Sequence, residues 1–427
     1  MMNTRKLRPL NNRFLWVGLP VALAMLFVAS LMLASASSAS TTIPVHHDQE
    51  TSNLRSGDVI TIGVATAMTV VPDLGWRQAN AVQLAVDQVN DAGGIDIGGT
   101  KYTLSLITAD SGCDSTQAVT AANNLISAGA VAVVGHSCSS ASMAAQSIYN
   151  TAGVSMINPS ASSPGLTEQG YPTTFRTISK DDAAAKLMAT YFHSWLGLKQ
   201  VALVEWDAGW IIEVTDAFSN TFTSLGGTIT SRHTVASTDV FTTTLTSIQS
   251  ENPEAIFYVD IDPNNAGLFS SIANNLGLNI IGWNSEGSNR DDYVASAGSA
   301  AEGDYNGISG RQTEDMPGYD DLNTAYQAAG FPNYGDEVQN WGAFAYDAAN
   351  IIISAIDLAD STNPADIRDE IAATINYSGA VGTYVGFDAK GDVIPQWARL
   401  ELYDNGQWTI LHPSKIFVPI TTKSPGP

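Results

Sequence analysis

From residue 59 onward, short β-branched runs alternate with amphipathic stretches of helical period. Residues 59–64 have strand composition. Residues 77–90 carry Val82, Ala85, Val86 and Val89 on one helical face, and Gly93-Gly94 stops that helix. The spacing then predicts a strand at 104–107, a helix over 115–127 opened by Asp114, and a buried strand at 131–135. A helix over 140–150 and a strand at 154–157 follow. A β-α-β-α-β-α-β order of this kind builds a parallel sheet covered on both faces.

The same grammar restarts near Asp181. It predicts a helix to Leu196, a strand at 201–204, a helix over 211–225, a strand at 227–234, a helix over 241–250 and a strand at 255–259. Pro263 stands where a helix would begin, residues 264–276 supply that helix, and 279–282 supply another strand. Residues 319–329, 338–358 and 364–375 read as helices. The last hundred or so residues hold too few strands for a third sheet, so they are expected to complete the first two. Two similar α/β lobes place a ligand cleft between them, lined by the segments that follow each strand.

The N-terminal segment has a different pattern. Arg5, Lys6, Arg8 and Arg13 precede an uncharged apolar run that ends in small residues at Ala34-Ser35-Ala36. Residues 1–36 therefore read as a secretory signal cut after Ala36 or as a retained membrane anchor, and no cysteine lies nearby to carry a lipid. Residues 37–56, polar and including His46-His47, read as a linker. Either way the chain is expected on the outer face of the cytoplasmic membrane or beyond it. In that compartment an isolated cysteine pair, Cys113 and Cys138, suggests a disulfide worth about 3 kcal/mol, with two buried thiols as the alternative.

Charge narrows the list of partners. The 427 residues hold 42 acids against 19 bases, a net charge of -23, which becomes -27 without the first 36 residues. An acidic surface does not attract nucleic acid, which needs clustered bases. Hydrophobic residues make up 44% and charged ones 14%, enough apolar material for a folded core.

Tests for catalytic or cofactor chemistry find little. Gly135-His136-Ser137-Cys138-Ser139 follows a strand like a nucleophile elbow, but Ser139 stands where the sharp turn needs glycine. Asp260-Ile261-Asp262-Pro263-Asn264 begins like a calcium loop and lacks its glycine and its terminal glutamate. Neither a phosphate-cradling glycine loop nor a zinc-spaced Cys/His set occurs, so the expectation is no enzyme, no cofactor and no metal.

What remains is a set of polar strand-end segments. Gly135 to Ser140 opens a helix whose N–H groups and hydroxyls suit a carboxylate. Asn158-Pro159-Ser160-Ala161-Ser162-Ser163-Pro164 is a small-residue loop, and Glu205-Trp206-Asp207-Ala208-Gly209-Trp210 brings aromatic walls. Ile281-Gly282-Trp283-Asn284-Ser285-Glu286-Gly287 contributes one carboxylate. An anion cradle on one lobe facing an acid on the other suits a zwitterion.

These segments, in order, resemble the periplasmic leucine/isoleucine/valine-binding protein family, the solute receptors of branched-chain amino-acid ABC transporters. The likeness runs from about Val59 to Trp408 and includes AVQLAVDQVNDAGG at 81–94, DSGCD at 110–114 and GHSCSS at 135–140. It continues through Phe175-Arg176-Thr177 and ends on Phe387-Asp388-Ala389-Lys390-Gly391-Asp392. The resemblance implies a type I periplasmic-binding fold, in which two Rossmann-like α/β lobes join through a three-crossing hinge around the cleft. Lobe 1 is expected at 57–178 plus 306–395, lobe 2 at 179–305 plus 396–415, and a tail at 416–427. The resemblance also implies a Cys113–Cys138 disulfide. For the ligand it implies that Ser139, Ser160, Ala161 and Ser162 hold carboxylate and ammonium, with Glu286 as a counter-charge from the other lobe.

The chain departs from the family pattern in the side-chain pocket. Trp210 stands where the family commonly has tyrosine, and Leu74 and Ile261, with Asp262 nearby, replace other tyrosines as pocket walls. The function this implies is a monomeric extracytoplasmic receptor that captures an amino acid and delivers it to an ABC permease. The alternative is a sensory receptor for amides, urea or another small polar compound on the same fold.

Overall fold

The computed structural model describes residues 59–260, 262–278, 281–285 and 290–411. The first strand, β1 (Val59–Thr66), leads into helix α1 (Pro72–Asp91). This helix begins five residues earlier than its apolar stripe predicts. Pro72 occupies the first turn, where its missing N–H costs nothing, and so sets Leu74 and Trp76 on the helix rather than in a loop.

A hairpin absent from the sequence reading follows, β2 (Ile95–Ile97) and the long β3 (Thr100–Asp110), turning through Gly98-Gly99. Next come α2 (Ser115–Ser127), β4 (Ala130–Gly135), α3 (Ser139–Ala152), β5 (Ser155–Asn158), the short α4 (Gly165–Glu168) and β6 (Thr174–Arg176). The first sheet has the order β2-β3-β1-β4-β5-β6, parallel except for the β2–β3 hairpin.

The second lobe opens with α5 (Asp182–Thr190), continued by one π turn at Tyr191–Trp195. It runs through β7 (Gln200–Trp206), α6 (Gly209–Ser224), β8 (Thr228–Val235), α7 (Phe241–Glu251), β9 (Ala255–Val259), α8 (Pro263–Asn275), β10 (Ile281–Ser285) and α9 (Arg290–Ala297) to β11 (Tyr305–Ser309). The chain then builds α10 (Tyr319–Ala329), α11 (Gln339–Ala359) and α12 (Pro364–Ala372), which pack on the first lobe. Two small ribbons follow, β12 (Tyr377–Ser378) with β13 (Thr383–Tyr384) and β14 (Gly386–Phe387) with β15 (Val393–Ile394).

Finally β16 (Ala398–Asp404) and β17 (Gln407–Leu411) add antiparallel strands to the second sheet, whose order is β17-β16-β11-β10-β9-β7-β8. The last strands therefore complete an existing sheet. Because β11 pairs with β10 and β16, the return crossing falls after Ser309 rather than at the expected 305/306 boundary.

The chain passes between the sheets three times, after β6, after β11 and after β15, and hydrogen bonds tie the crossings together. Lys180 N donates to Gln396 Oε1 at 2.7 Å, Trp397 N to Ser179 Oγ at 2.7 Å, and Gly310 N to the Trp397 carbonyl at 2.8 Å.

Each sheet is buried on both faces. In lobe 1, α1 and α11 cover one face with Val82, Val86, Ile352 and Ile356, and α2 and α3 cover the other with Leu125, Ala141 and Tyr149. Helix α11 is apolar and long enough to cross a membrane by composition, yet most of it is buried in this core. In lobe 2, Phe218 stacks on Phe257 at 4.1 Å on one face and Tyr258 on Phe269 at 4.2 Å on the other.

Candidate functional site

The carboxyl ends of β1, β4 and β5 face those of β7 across a cavity of about 620 Å³. From lobe 1 it is lined by Leu74, by Ser137, Cys138, Ser139, Ser140 and Met143, by Ser160, Ser162 and Ser163, and by Trp341. Gly209, Trp210 and Glu213 line it from lobe 2, and Asp181 lines it at the hinge. The volume falls in the roughly 300–1,000 Å³ range of small-molecule sites.

The loop before α3 is shaped by backbone and disulfide. Gly135 ends β4 with φ 136°, and a Cβ there would overlap the Ala65 carbonyl, so glycine lets β1 and β4 approach closely at the cleft. Cys113 and Cys138 are bonded, with Cα atoms 5.2 Å apart, which joins the turns after β3 and β4. His136 points into lobe 1, and its Nε2 hydrogen-bonds with Tyr149 at 3.0 Å. Burial pushes its pKa down to about 3, so it stays neutral and lies away from Ser139.

Helix α3 begins at Ser139 without a side-chain cap, whereas Asp114 accepts from two N–H groups at the start of α2. The first-turn N–H groups of α3 thus open toward the cavity beside the Ser139 and Ser140 hydroxyls.

The loop after β5 is held from behind. Asn158 Oδ1 accepts from Ser160 N at 3.0 Å and from Ala161 N at 2.5 Å. The Ser160 hydroxyl donates to the Ser137 carbonyl at 2.8 Å and accepts from Gln78 Nε2 at 2.8 Å, so it is engaged within the protein although the residue lines the cavity. Ala161 is buried and does not line it. Arg176, buried completely, donates to the Ala161 and Ser163 carbonyls at 3.2 and 3.0 Å.

Arg176 is paired in turn with Asp392 at 2.7 Å, and Lys180 pairs with the other Asp392 oxygen at 2.9 Å. Burial alone would raise the Asp392 carboxyl; Arg176, Lys180 and a hydrogen bond from Thr167 overcome that and hold it below the ordinary range. The Phe387-to-Asp392 motif thus fixes the cleft loop from the far end of the chain. Gly391 permits the approach at φ 91°, where a Cβ would overlap the Thr174 carbonyl.

On lobe 2, Trp210 stands in the first turn of α6 and presents an aromatic wall. Glu205, in the same strand-end segment, is taken up by Arg232, which donates to its oxygens at 3.0 and 2.6 Å. Asp262 caps α8, accepting from Asn264 N at 2.8 Å, and does not line the cavity as expected, because its carboxylate is used by the helix end. Glu286 and Ile261 lie outside the described residues. Among the described residues no group of three His, Cys, Asp or Glu side chains could hold a metal ion.

Four lining residues escaped the sequence reading: Met143, Asp181, Glu213 and Trp341. Glu213 was within reach, since it follows Trp210 by one helical turn and so shares its face. Its Oε2 accepts across the cleft from Ser163 Oγ and Gly165 N, both at 3.3 Å. Met143 likewise lies one turn beyond Ser140 on α3. Trp341 is on α11 and arrives through packing against α1, which no local pattern reports.

Two parallel-sheet lobes, three hinge crossings and a polar cleft at the strand ends define a protein that encloses a small ligand between its lobes. The chain belongs to the periplasmic binding protein family, which it matches over residues 59–407.

It is 28% identical over 340 residues to the leucine-, isoleucine-, valine-, threonine- and alanine-binding protein of Pseudomonas aeruginosa, covering 79% of this chain and 88% of that one. Among solved structures it is similar to an ABC transporter substrate-binding protein of Desulfitobacterium hafniense in complex with Leu. That likeness has a TM-score of 0.65 and 26% identity over 83% of this chain and all of the other. A leucine binding protein of Thermotoga maritima gives a TM-score of 0.64 and 25% identity, covering 83% of this chain and 98% of that one.

Proposed function

We propose that the protein is a non-catalytic, monomeric receptor outside the cytoplasmic membrane that closes its lobes on a free α-amino acid and passes it to an ABC permease. The observation that carries this reading is the uncapped start of α3, which opens into the cavity among serine hydroxyls. The ligand carboxylate sits against the α3 N–H groups, Ser139 and Ser162; the ammonium meets carbonyls of the 160–162 loop and the acid Glu286 from lobe 2. Ser160 and Ala161 act through backbone and position, and Leu74 and Trp210 wall the side chain.

Charge-assisted hydrogen bonds contribute roughly 1.5–3 kcal/mol each, so three or four hold a small zwitterion. Groups from both lobes meet the ligand only in the closed form, and ligand therefore shifts the population toward closure. The leucine-, isoleucine-, valine-, threonine- and alanine-binding protein of Pseudomonas aeruginosa and the Desulfitobacterium hafniense structure in complex with Leu support the ligand class.

A thermal-shift panel of L-amino acids, simple amides and urea tests it: at a hundredfold excess over Kd, selective binding adds about 2.7 kcal/mol to stability. A panel in which no α-amino acid raises the melting temperature overturns the amino-acid reading.

A further inference from the structure

The balance of charge around the cleft bears on which amino acid fits. Among the described residues two carboxylates line the main cavity, Asp181 and Glu213, and cations serve several of the acids around them. Arg176 and Lys180 flank Asp392, and Asp181 lies in the field of Arg176. Asp182 pairs with Lys186 at 2.6 Å, Glu168 with Lys390 at 2.6 Å, and Arg232 with both Glu205 and Asp216. Glu213 contacts no cation: its partners are a hydroxyl and an amide at 3.3 Å, and the carboxylate is open to the solvent of the cleft.

Among the described residues no arginine or lysine lines the main cavity. A zwitterion brings one positive and one negative charge and leaves the excess of Glu213 unchanged; a ligand with a second positive charge removes it. Two tryptophans, Trp210 and Trp341, line the same cavity, and indole faces attract cations. Glu213 also lines a second cavity of about 490 Å³ between the lobes, where Glu168, Asp182 and Asp216 outnumber the single cation Lys186, itself paired with Asp182, so a long basic side chain can extend past Glu213 into an acidic space.

Resting on the amino-acid reading above, we infer that Glu213 is a specificity-determining residue and that the preferred ligands are α-amino acids with a basic side chain, an amine or a guanidinium. The main-chain groups of the ligand are held as proposed above, and Glu213 selects the far end.

The test is calorimetric titration of the full chain in mild detergent at neutral pH with L-arginine, L-lysine, L-leucine, L-glutamine and L-glutamate, for the wild type and for Glu213→Gln. The expected result is that arginine or lysine binds at least about tenfold tighter than leucine, and that E213Q reduces this ratio by about tenfold or more while leaving leucine binding in place. An unchanged melting curve serves as the control for folding. Leucine binding tighter than both basic amino acids, or an E213Q variant that keeps the wild-type ratio, overturns the inference and leaves the amino-acid reading standing. Failure of all five ligands to bind overturns both.

Discussion

Replacing Asp392 with asparagine separates the two ends of the chain that meet behind the cleft. Asp392 is 1% exposed and faces Arg176, itself fully buried, at 2.7 Å, with Lys180 at 2.9 Å on its other oxygen and the Thr167 hydroxyl donating at 2.8 Å. Removing one member of a buried ion pair costs about 3–5 kcal/mol, because the remaining charge is left dehydrated and unpaired. The two cations here retain only Asp181 and Asp182 at longer range, so the upper half of that range is expected.

With an unfolding entropy of about 2.1 cal/mol/K per residue over roughly 350 folded residues, 1 kcal/mol moves the melting temperature by roughly 1.4 °C, so Asp392→Asn is expected to lower it by about 6 °C. Differential scanning calorimetry without ligand measures this directly. The carboxylate is held below its ordinary range, so its stabilising contribution is present above about pH 4 and is lost as pH falls through the folded value; the variant is expected to lack that acid-side loss. A melting temperature within about 2 °C of the wild type at neutral pH refutes the claim that this pair fastens the cleft loop to the C-terminal segment.

Two further predictions concern stability. Cys113→Ser with Cys138→Ser is expected to cost about 3 kcal/mol, and thiol titration of the denatured, unreduced wild type should find no free thiol; two titratable thiols rule the disulfide out. Burial pushes the Asp304 carboxyl up to about 7 and the Asp347 carboxyl up to about 6, so the folded state binds more protons than the unfolded chain between about pH 4 and 7. Stability from these groups is therefore greatest near pH 4 and is lost as pH rises, by up to about 1.4 kcal/mol per pH unit for each. Urea midpoints at pH 5 and 7.5 should show that difference shrinking in Asp304→Asn, and an unchanged difference removes Asp304 as its source.

Periodicity carried the fold where burial is two-sided and local. The runs at 131–135 and 255–259 and the helical face of Val82, Ala85, Val86 and Val89 appear in the structure as β4, β9 and α1, because each buries against a sheet neighbour built from nearby sequence. It failed where a strand's role depends on a distant partner. Residues 305–309 and 398–411 become strands by pairing with each other across nearly a hundred residues, and that register is written in neither segment alone.

The site divides the same way. The serine loops after β4 and β5 and Trp210 after β7 line the cavity where the strand order led one to look, since a parallel sheet opens its cleft just past the strand ends. The charge excess of the sequence excluded nucleic acid and left the ligand open. Tertiary structure alone decided which groups remain available to a ligand. It consumed Ser160, Glu205 and Asp262 in internal hydrogen bonds, brought Asp392 beneath the loop it never adjoins in sequence, and left Glu213 facing the cleft with no ion pair among the described residues. The physical reason is that a polar residue's type records what it can bond, while only the packed chain determines whether another part of the protein has already bonded it.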